Sequence, residues 1–248
     1  MSAPSSDVPS HPPDPLGLLG GTFDPVHRAH LHLARAALTQ LELAAVRWLP
    51  AGQPWHRQAS VTAAEHRLAM VRLATAGEPR FEVDESEIRL HSPGYTVDTL
   101  LRLRAELGPS RPLIWLMGAD AFLALPTWHR WREILHLCHL AVAHRPGSPL
   151  DEAAMAPELA DLWRQAAAGA PADDQSQPGG DGVATPAAVV LRSAPAGRIV
   201  SFTIEPVEPA DLSATMLRAR LADGATAALA PLLPAGVLDY IRLHRLYA

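Results

Sequence analysis

The stretch that most constrains this chain is Leu16-Gly17-Leu18-Leu19-Gly20 running into Gly21-Thr22-Phe23-Asp24-Pro25-Val26-His27-Arg28-Ala29-His30. A short apolar run that ends in paired glycines reads as a buried strand entering a tight turn. From His27 the apolar period changes: Leu31, Ala34, Leu38 and Leu41 recur at spacings of three and four, which is a helix with one inward face. Pro25 suits the first helical turn, where its missing N–H is not needed. Strand, glycine turn and helix N-terminus in this order aim main-chain N–H groups and the positive end of a helix dipole at one spot, and glycine lets the backbone come close to an anion there.

The rest of the chain continues the alternation. Val46 to Pro50 predicts a second strand, and Thr62-Ala63-Ala64-Glu65 reads as a capping box opening a helix with Leu68, Val71 and Ala74 or Thr75 inward. Phe81 to Ile88 suggests a strand pair, Thr96 to Leu107 a helix, Leu113 to Met117 a strand, Trp131 to Leu137 a helix and His139 to His144 a strand. Strands alternating with helices imply a parallel sheet covered on both faces, an α/β, Rossmann-like doubly wound architecture. Residues 147–195, rich in Ala, Pro, Gly and acidic side chains, break the pattern and read as a mobile insertion carrying one helix around 153–165. Arg198 to Ile204 returns as a strand, and Ser213 to Leu221 and Gly236 to Leu243 form a small C-terminal helical part. Residues 1–14 read as a disordered extension and 15–248 as one domain.

Composition removes several functions. The formal charge is −5, against the clustered basic surface that a nucleic acid requires. No run of about 18 apolar residues is present, so no membrane span is expected, and residues 1–14 lack the basic start and apolar core of a signal peptide. The chain has no lysine and no asparagine, which excludes the phosphate-binding P-loop and Schiff-base chemistry. Its single cysteine, Cys138, lies in an apolar run and reads as a buried inert thiol in a reducing, cytoplasmic compartment.

His27 and His30 project from the same face of the first helical turns, where two imidazoles can donate to phosphate oxygens as charge spreads over them during nucleotidyl transfer. Such a reaction needs no protein nucleophile when the attacking group is itself an ionised phosphate. A metal site from His27, His30 and His32 competes, but His32 falls off the shared face and no cysteine or carboxylate cluster completes a zinc sphere. Chance is the other alternative, since glycine pairs before helices are common.

On Gly21-Thr22-Phe23-Asp24-Pro25 with His27 and His30, the chain resembles the nucleotidylyltransferase superfamily that carries the H-x-G-H motif. Within it, the chain is similar to the bacterial nicotinate-nucleotide adenylyltransferases from Leu18 to Tyr247, apart from the insertion. That resemblance implies transfer of AMP from magnesium-bound ATP to nicotinate mononucleotide, giving deamido-NAD and pyrophosphate. It assigns ATP contacts to Gly20, Gly21, Thr22, Phe23, His27 and His30. The chain departs from the family at Ala29, where the family usually has glycine; one added methyl against adenosine is expected to be tolerated. No dedicated metal ligands are expected, the magnesium arriving with ATP and keeping much of its water.

Further segments extend the likeness. Ser213-Ala214-Thr215-Met216-Leu217-Arg218 resembles the family's second motif, which adds Ser213, Thr215 and Arg218 to the ATP site and gives Arg218 a catalytic role on the triphosphate. Alone, it reads rather as a plain capped helix with a surface arginine, and the first motif reverses that preference. Gly118-Ala119-Asp120 resembles the family's ribose-binding Gly-x-Asp, an N-cap aspartate being the competing role. For nicotinate mononucleotide the resemblance points to His56, Arg57, Thr96, Trp128, His129 and Arg145. Trp128 would stack on the pyridine ring while Thr96 and the His129 N–H hold its carboxylate; a core tryptophan, a solvated loop at 53–57 and a surface Arg145 are the plain readings. Rival functions are adenylyl transfer to nicotinamide mononucleotide or phosphopantetheine, and a non-catalytic nucleotide-binding module.

Overall fold

The computed structural model describes residues 14–53, 61–90, 94–167, 188, 191–192, 194–205, 207–209, 212–224 and 226–247. The six strands are β1 (Leu16–Gly21), β2 (Ala45–Pro50), β3 (Phe81–Val83), β4 (Leu113–Gly118), β5 (His139–His144) and β6 (Ile199–Thr203). They form one all-parallel sheet in the order β3-β2-β1-β4-β5-β6. Winding reverses between β1 and β4, and all six carboxyl ends lie along the same edge. In such sheets the crevice at the reversal is where ligands bind.

The helices are α1 (Arg28–Gln40), α2 (Ala64–Thr75), α3 (Ser86–Arg89), α4 (Thr96–Leu107), α5 (Ala119–Leu123), α6 (Trp131–Leu137), α7 (Pro157–Ala167), α8 (Ala214–Ala222) and α9 (Ala235–His244). They build two cores, one on each face of the sheet. Leu19, Val46, Trp48, Ile114 and Leu116 face the core shared with α1, α2, α8 and α9. Leu16, Leu18, Leu49, Leu113, Trp115 and Met117 face the core shared with α4, α6 and α7. This alternation along each strand is the pleat expressed as packing, and it explains why the strands read as continuous apolar runs. The expected inward face of α1, with Leu31, Ala34, Leu38 and Leu41, is fully buried.

Three expectations need correction. Phe81 to Ile88 is not a strand pair: β3 stops at Val83, and the Asp84 side chain accepts the Ser86 N–H at 2.8 Å, turning the chain into α3. Thr62 to Glu65 is not a capping box. Ala63 holds the N-cap position without a side-chain cap, and the Thr62 N–H donates instead to Asp24 Oδ2 at 3.3 Å. Within 147–195, the expected helix starts later, at Pro157, and it packs into the core through Leu159 and Ala160, with Met155 just ahead of it. Residues 168–187 of that segment lie outside the described residues, as do residues 1–13. Among the described residues, no helix is long and apolar enough to cross a membrane. Cys138 is buried and its thiol is pushed up to about 12 by that burial.

Candidate active site

The site grows from the carboxyl ends of β1 and β4, its neighbour. Gly20 must be glycine because a Cβ there would sit 2.5 Å from the Trp115 indole, and one at Gly21 would meet the Phe23 ring at 3.1 Å. These close approaches let the chain leave the sheet without a side chain in the way. Phe23 then adopts a left-handed φ of 52° and drops its ring into the core, edge-on to His30 at 5.1 Å and against Trp48 at 5.4 Å. Only the backbone of Phe23 is therefore available to a ligand, since its side chain is buried.

His27 is the N-cap of α1 and His30 its third residue. Their rings lie 3.8 Å apart between centres, tilted by 35°. The His27 N–H donates to His30 Nδ1 at 3.2 Å, so neutral His30 carries its proton on Nε2. His27 is 5% exposed, and its Nδ1 has no hydrogen-bond partner among the described residues. Desolvation lowers the pKa of His27 to about 4. Burial lowers His30 well below the ordinary histidine range, His27 lowers it further, and the His27 backbone hydrogen bond works the other way. Both rings are thus neutral near pH 7 in the free protein, an arrangement of N–H donors that an arriving phosphate would find already desolvated. His32 is exposed and turned away from the pair.

Arg218 reaches the loop from α8. Its Nη1 donates to the Asp24 carbonyl at 2.7 Å and its Nη2 to Thr215 Oγ1 at 3.3 Å. Ser213 is the N-cap of α8, its Oγ accepting the Met216 N–H at 3.2 Å. The structure therefore joins Ser213, Thr215 and Arg218 to the loop ahead of His27 through main-chain Asp24. Gly118 closes β4 as the N-cap of α5, and exposed Asp120 follows in the first turn of that helix.

On the same edge, Tyr95 stacks on His129 with ring centres 4.4 Å apart, and half-buried Trp128 stands edge-on to Trp115 at 6.5 Å. Thr96, the first residue of α4, directly follows Tyr95, and His129 directly follows Trp128. Exposed Arg145 lies just past the carboxyl end of β5. His56 and Arg57 lie outside the described residues. Among the described residues, no three His, Cys, Asp or Glu side chains group into a metal-sized site.

A family model described as cytidylyltransferase-like matches residues 18–220. A protein of Dechloromonas aromatica (strain RCB) named probable nicotinate-nucleotide adenylyltransferase is 47% identical over 234 residues, covering 94% of this chain and 98% of that relative. The chain belongs to the nicotinate-nucleotide adenylyltransferases of the cytidylyltransferase-like family. A second member, from Laribacter hongkongensis (strain HLHK9), is 48% identical over 232 residues, covering 94% of each chain. The fold is shared with Plasmodium falciparum nicotinic acid mononucleotide adenylyltransferase complexed with NaAD, at a TM-score of 0.66 and 15% identity, covering 94% of this chain and 97% of that one.

Two residues that frame the family's loop were given no role by the sequence reading. Asp24 is 2% exposed, and its carboxylate accepts from Tyr247 Oη at 2.7 Å and from the Thr62 N–H. A carboxylate inside a turn expected to hold an anion is a usable signal, because it must be engaged elsewhere if it is not to repel that anion. Arg67, 1% exposed, binds the carbonyls of Thr22, Gly52 and Thr62. Its signal was a charge on the inward face that also carries Leu68 and Val71.

Proposed function

We propose that this chain transfers the AMP of magnesium-bound ATP to the phosphate of nicotinate mononucleotide, forming deamido-NAD and releasing pyrophosphate. The observation that carries the proposal is the desolvated His27–His30 pair at the mouth of the glycine turn, in a chain nearly half identical to family members over almost its whole length. The nicotinate mononucleotide phosphate attacks the α-phosphorus of ATP, a P–O bond forms as the bond to the pyrophosphate oxygen breaks, and the leaving pyrophosphate carries away the charge. His27 and His30 hold the α-phosphate oxygens through ring N–H donors, and Arg218 swings from the Asp24 carbonyl to the triphosphate. Gly20, Gly21, Thr22 and Phe23 contribute backbone, Gly118 and Asp120 bind ribose, and Ser213 and Thr215 present the N-terminus of α8 to phosphate.

Nicotinate mononucleotide lies toward Thr96, Trp128, His129 and Arg145, with His56 and Arg57 on its phosphate. The proximity of Tyr95 and His129 supports placing the pyridine there. Magnesium enters as part of the ATP substrate, held by triphosphate oxygens and water. The free, buried Cys138 supports a reducing, cytoplasmic compartment. The test is isotopic: label at the α-phosphate of ATP should appear in the dinucleotide, and label at the γ-phosphate should appear in pyrophosphate. Label from the γ-phosphate in the nucleotide product would contradict adenylyl transfer.

A further inference from the structure

We infer that Arg67 and Glu87 are positioning residues that hold the segment at Gly52 from its two sides, keeping the pyridine side of the site in register with the ATP side. The inference rests on the substrate placement proposed above. Gly52 follows β2 and lies between the turn at Thr22 and the start of α4.

The first grip is on the carbonyl. Arg67 Nη2 donates to the Gly52 oxygen at 2.9 Å, Nη1 donates to the Thr22 oxygen at 2.8 Å, and Nε donates to the Thr62 oxygen at 2.9 Å. The guanidinium is a rigid planar fork, so one side chain fixes the mutual position of three chain segments. Thr22 belongs to the turn that leads to His27.

The second grip comes from Glu87, 6% exposed in α3, which accepts a hydrogen bond from Thr99 Oγ1 at 2.6 Å and whose carboxylate is also stabilised by the Gly52 backbone. Thr99 lies one turn along α4 from Thr96. A Cβ at Gly94 would stand 3.1 Å from Glu87 Oε2 and 3.6 Å from the Ala51 Cβ, and Gly94 has a φ of +71°. Residues 51–52, Glu87 and the Gly94–Thr99 stretch therefore pack as one body. The charged groups acting on Glu87 are Arg102 and Asp84, themselves paired at 2.9 Å. Burial raises the pKa of Glu87, while Thr99, Gly52 and Arg102 lower it.

A buried carboxylate and a buried guanidinium are costly and stay in place through their hydrogen bonds. Both side chains are shielded from the open edge and act through backbone. Loss of the Glu87 grip frees the Gly94–Thr99 stretch but leaves Arg67 on Thr22. Loss of the Arg67 grip releases both sides.

The experiment is steady-state kinetics on the full chain, varying each substrate in turn, for Glu87→Gln, Thr99→Val and Arg67→Lys. Glu87→Gln is expected to raise KM for nicotinate mononucleotide by about tenfold, and Thr99→Val by roughly threefold, with KM for ATP and kcat within about twofold in both. Arg67→Lys should raise both KM values. If Glu87→Gln does not fold, Thr99→Val alone carries the test. Unchanged KM values, or both KM values moving together in Glu87→Gln and Thr99→Val, would overturn the inference and leave a purely structural role. The unaltered chain separates the two questions. Its failure to turn over nicotinate mononucleotide removes the proposed substrate and this inference together. Normal turnover with indifferent variants removes the inference alone.

Discussion

The His27 N–H donates to His30 Nδ1 at 3.2 Å, which fixes the tautomer of His30 and leaves its Nε2–H as the free donor. If that donor meets charge that develops only during transfer, His30→Ala should lower kcat and kcat/KM together by about 10²–10³. ATP affinity, measured by calorimetry, should change little. A variant that altered only KM would contradict the role.

Two buried histidines predict acid sensitivity. His139 accepts the Arg198 N–H on Nδ1 at 3.0 Å and donates from Nε2 to the Ala194 carbonyl at 2.8 Å, a neutral tautomer held between β5 and the residues leading to β6. Desolvation by burial lowers it to about 4, as it lowers His27. In the unfolded chain both return to about 6.5, so the unfolded state binds more protons between those values. The stability these neutral rings allow is complete above about pH 6.5 and is lost as pH falls toward 4, on the order of 3 kcal/mol for each ring. Urea midpoints measured from pH 7.5 to 4 should fall steeply below 6.5. A flat profile would contradict the assignment.

Much of this was legible in the chain itself. Apolar runs of strand length separated by helical periods gave the parallel sheet, because the central strands β1 and β4, buried on both faces, carry no polar side chain to blur the pattern. The β1 turn and its two histidines could be read because paired glycines, a first-turn proline and two imidazoles three residues apart coincide at one strand-to-helix junction. What escaped reading was long-range. Thr62 looks like a cap, yet its N–H is taken by Asp24, 38 residues away. The run from Phe81 to Ile88 has strand composition, and a local Asp84–Ser86 turn overrides it. Tyr247 meets Asp24 across 223 residues, a contact no local pattern announces.

That contact carries its own prediction. The phenol, whose pKa is pushed well above its ordinary value chiefly by burial, is a neutral donor to the Asp24 carboxylate. Tyr247→Phe keeps the ring and removes the donor, so stability should fall by about 1–3 kcal/mol. The Asp24 carbonyl also accepts from Arg218, so kcat/KM for ATP should fall as well. Chemical denaturation together with kinetics would check both, and an unchanged midpoint would remove Tyr247 from this account.

Ala29 stands in the first turn of α1, at the position where the family usually has glycine. Ala29→Gly should cost about 0.5–1 kcal/mol of stability through helix propensity. KM for ATP should stay within about twofold, as expected if one methyl is tolerated beside adenosine. A large improvement in KM would show instead that the methyl crowds the nucleotide.

Trp128 tests the pyridine side. Trp128→Ala should raise KM for nicotinate mononucleotide by about tenfold, the loss of one buried aromatic contact, with KM for ATP nearly unchanged. Equal effects on both substrates would mean that the indole serves the core through Trp115 and not the pyridine.

The most direct measurement is pyrophosphate release from magnesium-ATP with nicotinate mononucleotide and nicotinamide mononucleotide assayed in parallel. The account predicts strong preference for the acid, because convergent donors from Thr96 and the His129 backbone favour a carboxylate over an amide. Preference for the amide would keep adenylyl transfer and discard the pocket, and silence with both nucleotides while ATP still binds would contradict the proposed function itself.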